Sequence, residues 1–272
     1  MDANPQICEY KEAASEIRKI VLRLIHETCS PHIGSSLSCV EILIALYFRL
    51  LDVSPRSAKD PNRDRFILSK GHACPTLYAV LYKKNFLSQA DLDGFAQDGG
   101  ALEHHPAMDL SRGIEISTGS LGHGLNMGTG MALAARIDGR SYRVFVLMSD
   151  GELNEGSNWE AIMFAGHHKL TNLIALVDAN KIQALGRTKE VLDLEPFGPK
   201  WSSFGWHVQE IDGHDFEQIF GAFENLSSTR PNVIILHTVK GKGVSFMEDR
   251  LLWHYKSPDA QEYRIALEEI AK

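Results

Sequence analysis

The chain has 272 residues, of which 44% are hydrophobic, and a formal net charge of −7. That length and apolar content suffice for one large α/β domain or two small ones, and a single domain spanning 1–272 is expected. Lys and Arg are dispersed under a net negative charge, which argues against a nucleic-acid partner and against a basic membrane-binding helix. The longest apolar stretch, ILIALYF, falls far short of the ~20 residues that a bilayer span needs.

The opening segment MDANPQICEYKEAASEIRK is polar and acidic early, unlike a secretory signal, so a cytoplasmic protein is expected. Cys8, Cys29, Cys39 and Cys74 are widely spaced with no C-x-x-C pair. That spacing argues against zinc or a disulfide framework, and predicts buried or half-buried thiols. Ile17, Ile20, Val21, Leu24 and Ile25 recur at helical spacing within 12–28. Ser38 with Glu41 three positions on reads as a capping box opening a helix over SCVEILIALYFRLL. After a Pro-containing loop at 52–64, the runs RFIL, RVFVLM, NLIALV, WHVQEI and NVIILHTV read as strands. Helical stretches at 120–136, 156–169 and 215–227 alternate with them, and Trp159, Ile162 and Met163 share the core side of one. The pattern predicts an α/β fold, a doubly wound, mostly parallel sheet flanked by helices.

The turns after the strands carry the chemistry: SKGH, SDGE, DANK, DGHD and KGKG. Glycine and polar residues mark any turn, but parallel strands deliver all five turns to one edge, where open α/β folds bind ligands. Asp150 and Asn180 stand thirty positions apart, each just after an apolar run. Two hard oxygen donors on neighbouring strand ends suit Mg²⁺ or Ca²⁺, and Mg²⁺ commonly completes its shell with phosphate oxygens. No Cys or His stands beside them to favour a softer metal. Gly151 lets the backbone approach a phosphate, and a helix starting near Ser157 or Asn158 aims its N-terminus the same way. A metal-bridged diphosphate is therefore expected, without the G-x-G-x-x-G or G-x-x-x-x-G-K-[ST] signatures of nucleotide sites.

The stretch SDGELNEGSNWEAIMFAGHHKLTNLIALVDANKI resembles the thiamine-diphosphate motif in the form found in transketolases. The resemblance extends through SPHIGSSLS, DRFILSKGHA, EHHPAMD, STGSLGHGLNMGTGMALAARIDG and TVKGKGVSFMEDRLLWH. It implies thiamine diphosphate as cofactor, with Asp150, the Asn180 side chain and the Ile182 carbonyl as ligands of Mg²⁺ or Ca²⁺. It implies backbone N–H groups of Gly151 and Glu152 facing the diphosphate, and Gly119 and Leu121 beside the pyrimidine. His72 and His254 match histidines that contact the diphosphate and reach substrate, and His32 and His105 match those that hydrogen-bond the substrate. Glu155 and Glu160 match interface glutamates near the pyrimidine-activating acid of the partner domain. His26, His123, His167, His168, His207 and His237 are read as surface residues. The chain departs from the family at Ser149, where many relatives have glycine, and at PHIG and GHG in place of GHPG and GQG.

Complete transketolases continue into a second domain that supplies the pyrimidine-paired glutamate and most of the sugar-phosphate recognition. This chain stops at YRIALEEIAK. The resemblance thus implies the N-terminal subunit of a split transketolase, inactive alone and completed by a C-terminal, pyrimidine-binding subunit in an α2β2 assembly. It would move a two-carbon ketol unit from a ketose or ketose-phosphate donor to an aldose acceptor, and its partner-facing surface should be hydrophobic and exposed. Half of a deoxyxylulose-phosphate synthase-like or pyruvate-decarboxylating enzyme fits the EHHP and WH signals less well. A non-catalytic cofactor-binding partner and a nucleotide-binding domain are the remaining alternatives.

Overall fold

A computed structural model describes residues 5–271. The apolar runs form strands β1 (Arg65–Leu68), β2 (Val144–Ser149) and β3 (Leu173–Ala179), a two-residue ribbon β4 (Ile182–Gln183) and β5 (Gly186–Arg187), then β6 (His207–Asp212) and β7 (Asn232–His237). Five of them make one sheet in the order β1-β2-β3-β7-β6, every pairing parallel. β4 and β5 pair antiparallel, apart from that sheet.

Parallel strands joined by helical crossovers are covered on both faces, so their sequences must be apolar throughout. β2 and β3 are buried at every position. Phe145, Leu147, Ile174, Leu176, Ile234 and Leu236 point to one apolar layer, and Val144, Val146, Met148, Ala175, Val177 and Val233 to the other. Helices α1 (Pro5–Thr28), α2 (Ile33–Leu37), α3 (Val40–Ala45), α4 (Cys74–Lys83) and α5 (Gln89–Asp93) precede β2 in sequence. α6 (Gly124–Ile137), α7 (Gly156–His167), α8 (Thr188–Leu192) and α9 (Phe197–Ser203) come next, then α10 (Phe216–Glu224) and α11 (Ala260–Ile270). The first apolar layer packs under α1, α3, α4 and α10, the second under α6, α7 and α9.

Several local expectations are corrected. Ser38 does not open a helix: it is the C-cap of α2, and Cys39, the N-cap of α3, makes no side-chain cap bond. The Ser38 hydroxyl donates instead to Asp178, and Glu41 is taken by Arg18 and His214. Buried partners outcompete a local cap because each would otherwise strand a polar group away from water. Cys8 and Cys29 are exposed, and only Cys39 and Cys74 are buried. Ile162 lies in the core, Trp159 packs against it from a half-buried position, and Met163 is 54% exposed. The helix expected from 120 starts at Gly124 because Gly119 and Gly122 hold positive φ in a loop. α7 begins at Gly156 as expected but ends at His167 rather than 169, and α10 stops at Glu224 rather than 227.

In the sheet's register Ser149 lies opposite Asp178, and the Asp150 N–H donates to the Asp178 carbonyl at 3.2 Å. SDGE and DANK therefore leave the sheet side by side. Gly128 in α6 brings that helix onto β2, where an added Cβ would lie 2.5 Å from Val146 Cγ2. Gly128→Ala gains about 1 kcal/mol of helix propensity, whereas overpacking costs about 1–3 kcal/mol. Urea denaturation should show a net loss of stability; a more stable variant would contradict this close packing.

Candidate functional site

All the residues expected at the site line one cleft of about 290 Å³ except Glu160: His32, His72, His105, Gly119, Leu121, Asp150, Gly151, Glu152, Glu155, Asn180, Ile182 and His254. Glu155 is exposed at its edge. Glu160 lies outside, in a separate groove between α6 and α7 with Asn126, Thr129 and Leu133.

Each side chain arrives for a local reason. His32 is held at φ 73° just before α2, a left-handed conformation uncommon for a non-glycine residue. Its N–H donates to the His254 carbonyl at 2.9 Å. The His32 ring centre lies 5.1 Å from that of His72, 5.0 Å from His254 and 6.5 Å from His105. His105 packs over Gly119, where a Cβ would come within 3.1 Å of the ring. Gly151 is required by the β4–β5 ribbon, since a Cβ there would stand 2.7 Å from Gln183 Cβ. Ser149 sits within β2 in an extended conformation and replaces glycine without strain.

The carboxylates divide by environment. Asp150 accepts from the Gly151 N–H at 2.8 Å and the Lys181 N–H at 2.5 Å. Burial, then the nearby Asp178, pushes its carboxyl up to about 6. Glu152 is fully buried and accepts from Ser69 and from the backbone N–H groups of Gly122 and Ser149, tying the ends of β1 and β2 to the loop before α6. Its own N–H donates to Ser149 Oγ at 3.2 Å, and burial raises its carboxyl.

Three residues of the site were missed by sequence reasoning: Lys70, Asp178 and Lys240. Asp178 is fully buried and pairs with Lys70, which also donates to the Ser35 carbonyl at 3.0 Å. Ser38, Thr238 and the Asn180 amide complete its shell. Because Asn180 Nδ2 donates to Asp178, its Oδ1 is presented elsewhere, where it accepts from the Ile182 N–H at 3.2 Å. Lys240 Nζ donates to the Ile182 carbonyl at 3.0 Å and to His254 Nδ1 at 2.9 Å. SKGH and KGKG did signal these lysines, but their flanking glycines and histidine drew the reading.

The donor chemistry suits a small hard cation: a buried carboxylate, an amide oxygen turned by its neighbour, and a carbonyl oxygen with a second lone pair beyond the one Lys240 uses. No group of three or more His, Cys, Asp or Glu side chains with metal-holding geometry occurs among the described residues. A one-carboxylate donor set of this kind would not form such a group.

The transketolase thiamine diphosphate binding domain model matches residues 9–264. The chain belongs to the transketolase family. It is 42% identical to an apulose-4-phosphate transketolase subunit from Phocaeicola vulgatus, over 94% of this chain and 91% of that one. It is also 42% identical to the 6-deoxy-6-sulfo-D-fructose transketolase subunit SqwG of a Clostridium species, over 98% of both. Among solved structures, transketolase from Campylobacter jejuni superposes with a TM-score of 0.91 at 31% identity, covering 96% of this chain and 42% of that one. The chain thus matches a whole subunit of the split transketolases and under half of the solved transketolase chain.

In this transketolase-family cleft, four histidines are held away from protonation. Burial, then His105 and Lys240, brings His32 down to about 4. Burial, then Lys240 and His32, brings His254 to about 3. His72 and His105 are lowered by burial first, then by Lys70 and His104 respectively. From the ordinary value of 6.5 downward, an unfolded chain takes up these protons and the folded chain does not. Their contribution to stability is therefore complete above about 6.5 and is lost as pH falls toward 4. Asp150 opposes this between about 6 and 3.8, where the folded chain holds a proton that the unfolded one releases. With four lowered histidines against the two raised carboxyls of Asp150 and Glu152, the urea midpoint should drop from pH 7.5 to pH 5, and an equal or higher midpoint at pH 5 would contradict the neutral cluster.

Proposed function

We propose that residues 1–272 form a single thiamine diphosphate-binding unit, the N-terminal subunit of a two-chain transketolase, which transfers a two-carbon ketol unit from a ketose to an aldose. The observation that carries this reading is the set of four histidines, His32, His72, His105 and His254, that line one cleft with Asp150, Asn180 and Ile182. Both 42%-identical relatives are named for sugars bearing an anionic group, a phosphate in one and a sulfo group in the other. An anionic ketose is accordingly the proposed donor.

Thiamine diphosphate, when bound, supplies the centre that carries the two-carbon unit between donor and acceptor. Asp150, Asn180 and the Ile182 carbonyl would hold Mg²⁺, or Ca²⁺, against the diphosphate. Lys240 adds a buried cation behind the same wall, its ammonium lowered to about 8 by burial and by Lys70. His254 accepts from Lys240 at Nδ1, so its proton sits on Nε2, ready to donate. Neutral His32, His72 and His105 can each donate to a substrate oxygen from one ring nitrogen and accept a hydroxyl proton at the other.

The partner would be a C-terminal, pyrimidine-binding subunit, in an α2β2 assembly. Leu185 on the ribbon, Leu192 at the end of α8, and Leu251, Leu252 and Tyr255 around His254 are all exposed, as a surface awaiting a partner would be. Glu155 at the cleft edge and Glu160 in the α6–α7 groove would lie along such contacts. The exposed thiols of Cys8 and Cys29 suit a reducing, cytoplasmic setting.

Mixed with its partner subunit, thiamine diphosphate and Mg²⁺, the chain should transfer ketol units between sugar phosphates. His254→Ala should lower kcat by about 10²–10⁴-fold. Asp150→Ala should abolish metal-dependent cofactor binding while its circular dichroism spectrum stays that of the parent. A formed complex that transfers no ketol unit between any sugar pair would favour a non-catalytic cofactor-binding role.

A further inference from the structure

The DGHD turn after β6 stands on the same sheet edge but does not line the cleft, and it is built to hold the segment that carries Lys240. Gly213 lets the turn press against the end of β7, where a Cβ would lie 3.0 Å from Leu236 Cβ and 2.5 Å from Cγ2 of Thr238 just beyond the strand, and its N–H donates to the His237 carbonyl at 2.9 Å. His214 then makes two bonds of fixed sense. Its Nε2 accepts from the Val239 N–H at 2.9 Å, so the ring proton is on Nδ1, which donates to Glu41 Oε2 at 3.0 Å.

Glu41 is buried in α3 and pairs with Arg18 of α1 at 2.6 Å, and Arg18 Nε donates to the Lys242 carbonyl at 3.0 Å. Burial works to raise the Glu41 carboxyl, but Arg18 and His214 outweigh it and leave it below the ordinary value. The loop from Val239 to Lys242 is thus gripped at both ends by one ionic relay. Between the grips, the Gly241 N–H donates to the Gly34 carbonyl at 3.0 Å, and Gly34 leaves room for the Lys240 stem, which a Cβ would meet at 2.9 Å.

We propose that His214 is a positioning residue: through Val239, and backed by Glu41 and Arg18, it holds Lys240 against His254 and so fixes the His254 ring with its proton on Nε2. A side chain on the far side of the loop thereby selects which nitrogen of a cleft histidine donates. The inference rests on the functional reading only in giving that proton a use. The geometry itself is open to test without cofactor, partner or turnover.

The test is ¹⁵N NMR of the histidine rings in the full chain at pH 7.5, comparing the parent with Lys240→Met, His214→Phe, His214→Gln and Glu41→Gln. The parent should show His254 as a single Nε2–H tautomer with a hydrogen-bonded Nδ1. Lys240→Met should lose that signature, and His214→Phe should lose it too. His214→Gln, whose amide oxygen can accept from Val239, should keep it. Should the phenylalanine variant fail to fold, Glu41→Gln serves in its place and should shift the same His254 signals. Unchanged His254 signals in His214→Phe or Glu41→Gln, with Lys240→Met altered, would overturn the proposal. So would unchanged signals in Lys240→Met. Failure of ketol transfer in the assembled enzyme would leave these spectra as they are, so the two readings fail separately.

Discussion

The site depends on an ion pair that never meets solvent. Lys70, at the end of β1, and Asp178, at the end of β3, are both fully buried and joined across the top of β2. Burying two charges costs several kcal/mol apiece, and their attraction roughly repays it only when the remaining polar atoms are also satisfied. Here they are: Asp178 is surrounded by Ser38, Thr238 and Asn180, and Lys70 by Ser35 and Ser38. Such a pair contributes little to net stability but specifies geometry. It sets which atom of the Asn180 amide is free for a cation, and it anchors α2, whose preceding residue is the strained His32.

A second consequence is electrostatic. Lys70 and Lys240 lie behind a wall of histidines, and together with burial they keep the imidazoles neutral. Neutral rings can accept as well as donate, which imidazolium cannot, so a cluster proposed to pass protons near neutral pH benefits from cations at its back. Asp150 has the opposite problem. A carboxyl raised to about 6 by burial and by Asp178 is a poor structural anion but a good cation ligand, since the incoming charge offsets both effects.

The fold was legible because inner parallel strands covered on both faces must be written as nearly unbroken apolar runs, and each of the five predicted runs is a strand of the sheet, including the half-exposed, partly polar edge strand β6. The rim was legible because consecutive strand ends point one way. Choices between local and distant partners could not be read. Ser38 and Glu41 form a good capping box on paper, but Asp178 lies 140 positions away in sequence and Arg18 sits on another helix. Lys70 and Lys240 hid within glycine-rich turns, where a lysine usually means a solvated surface. Met163 kept the helical spacing of a core residue but faces outward, because periodicity places residues on a face and does not say how wide the buried face is.

The central proposal is that Asp150, Asn180 and the Ile182 carbonyl form one cation site, oriented by Asp178. The most direct measurement is anomalous diffraction from crystals grown with thiamine diphosphate and Mn²⁺ in place of Mg²⁺. The account predicts a single peak coordinated by those three oxygens, at about 2.0–2.3 Å from each. A peak elsewhere, or a bound cofactor with Asn180 turned so that its nitrogen faces the diphosphate, would contradict it.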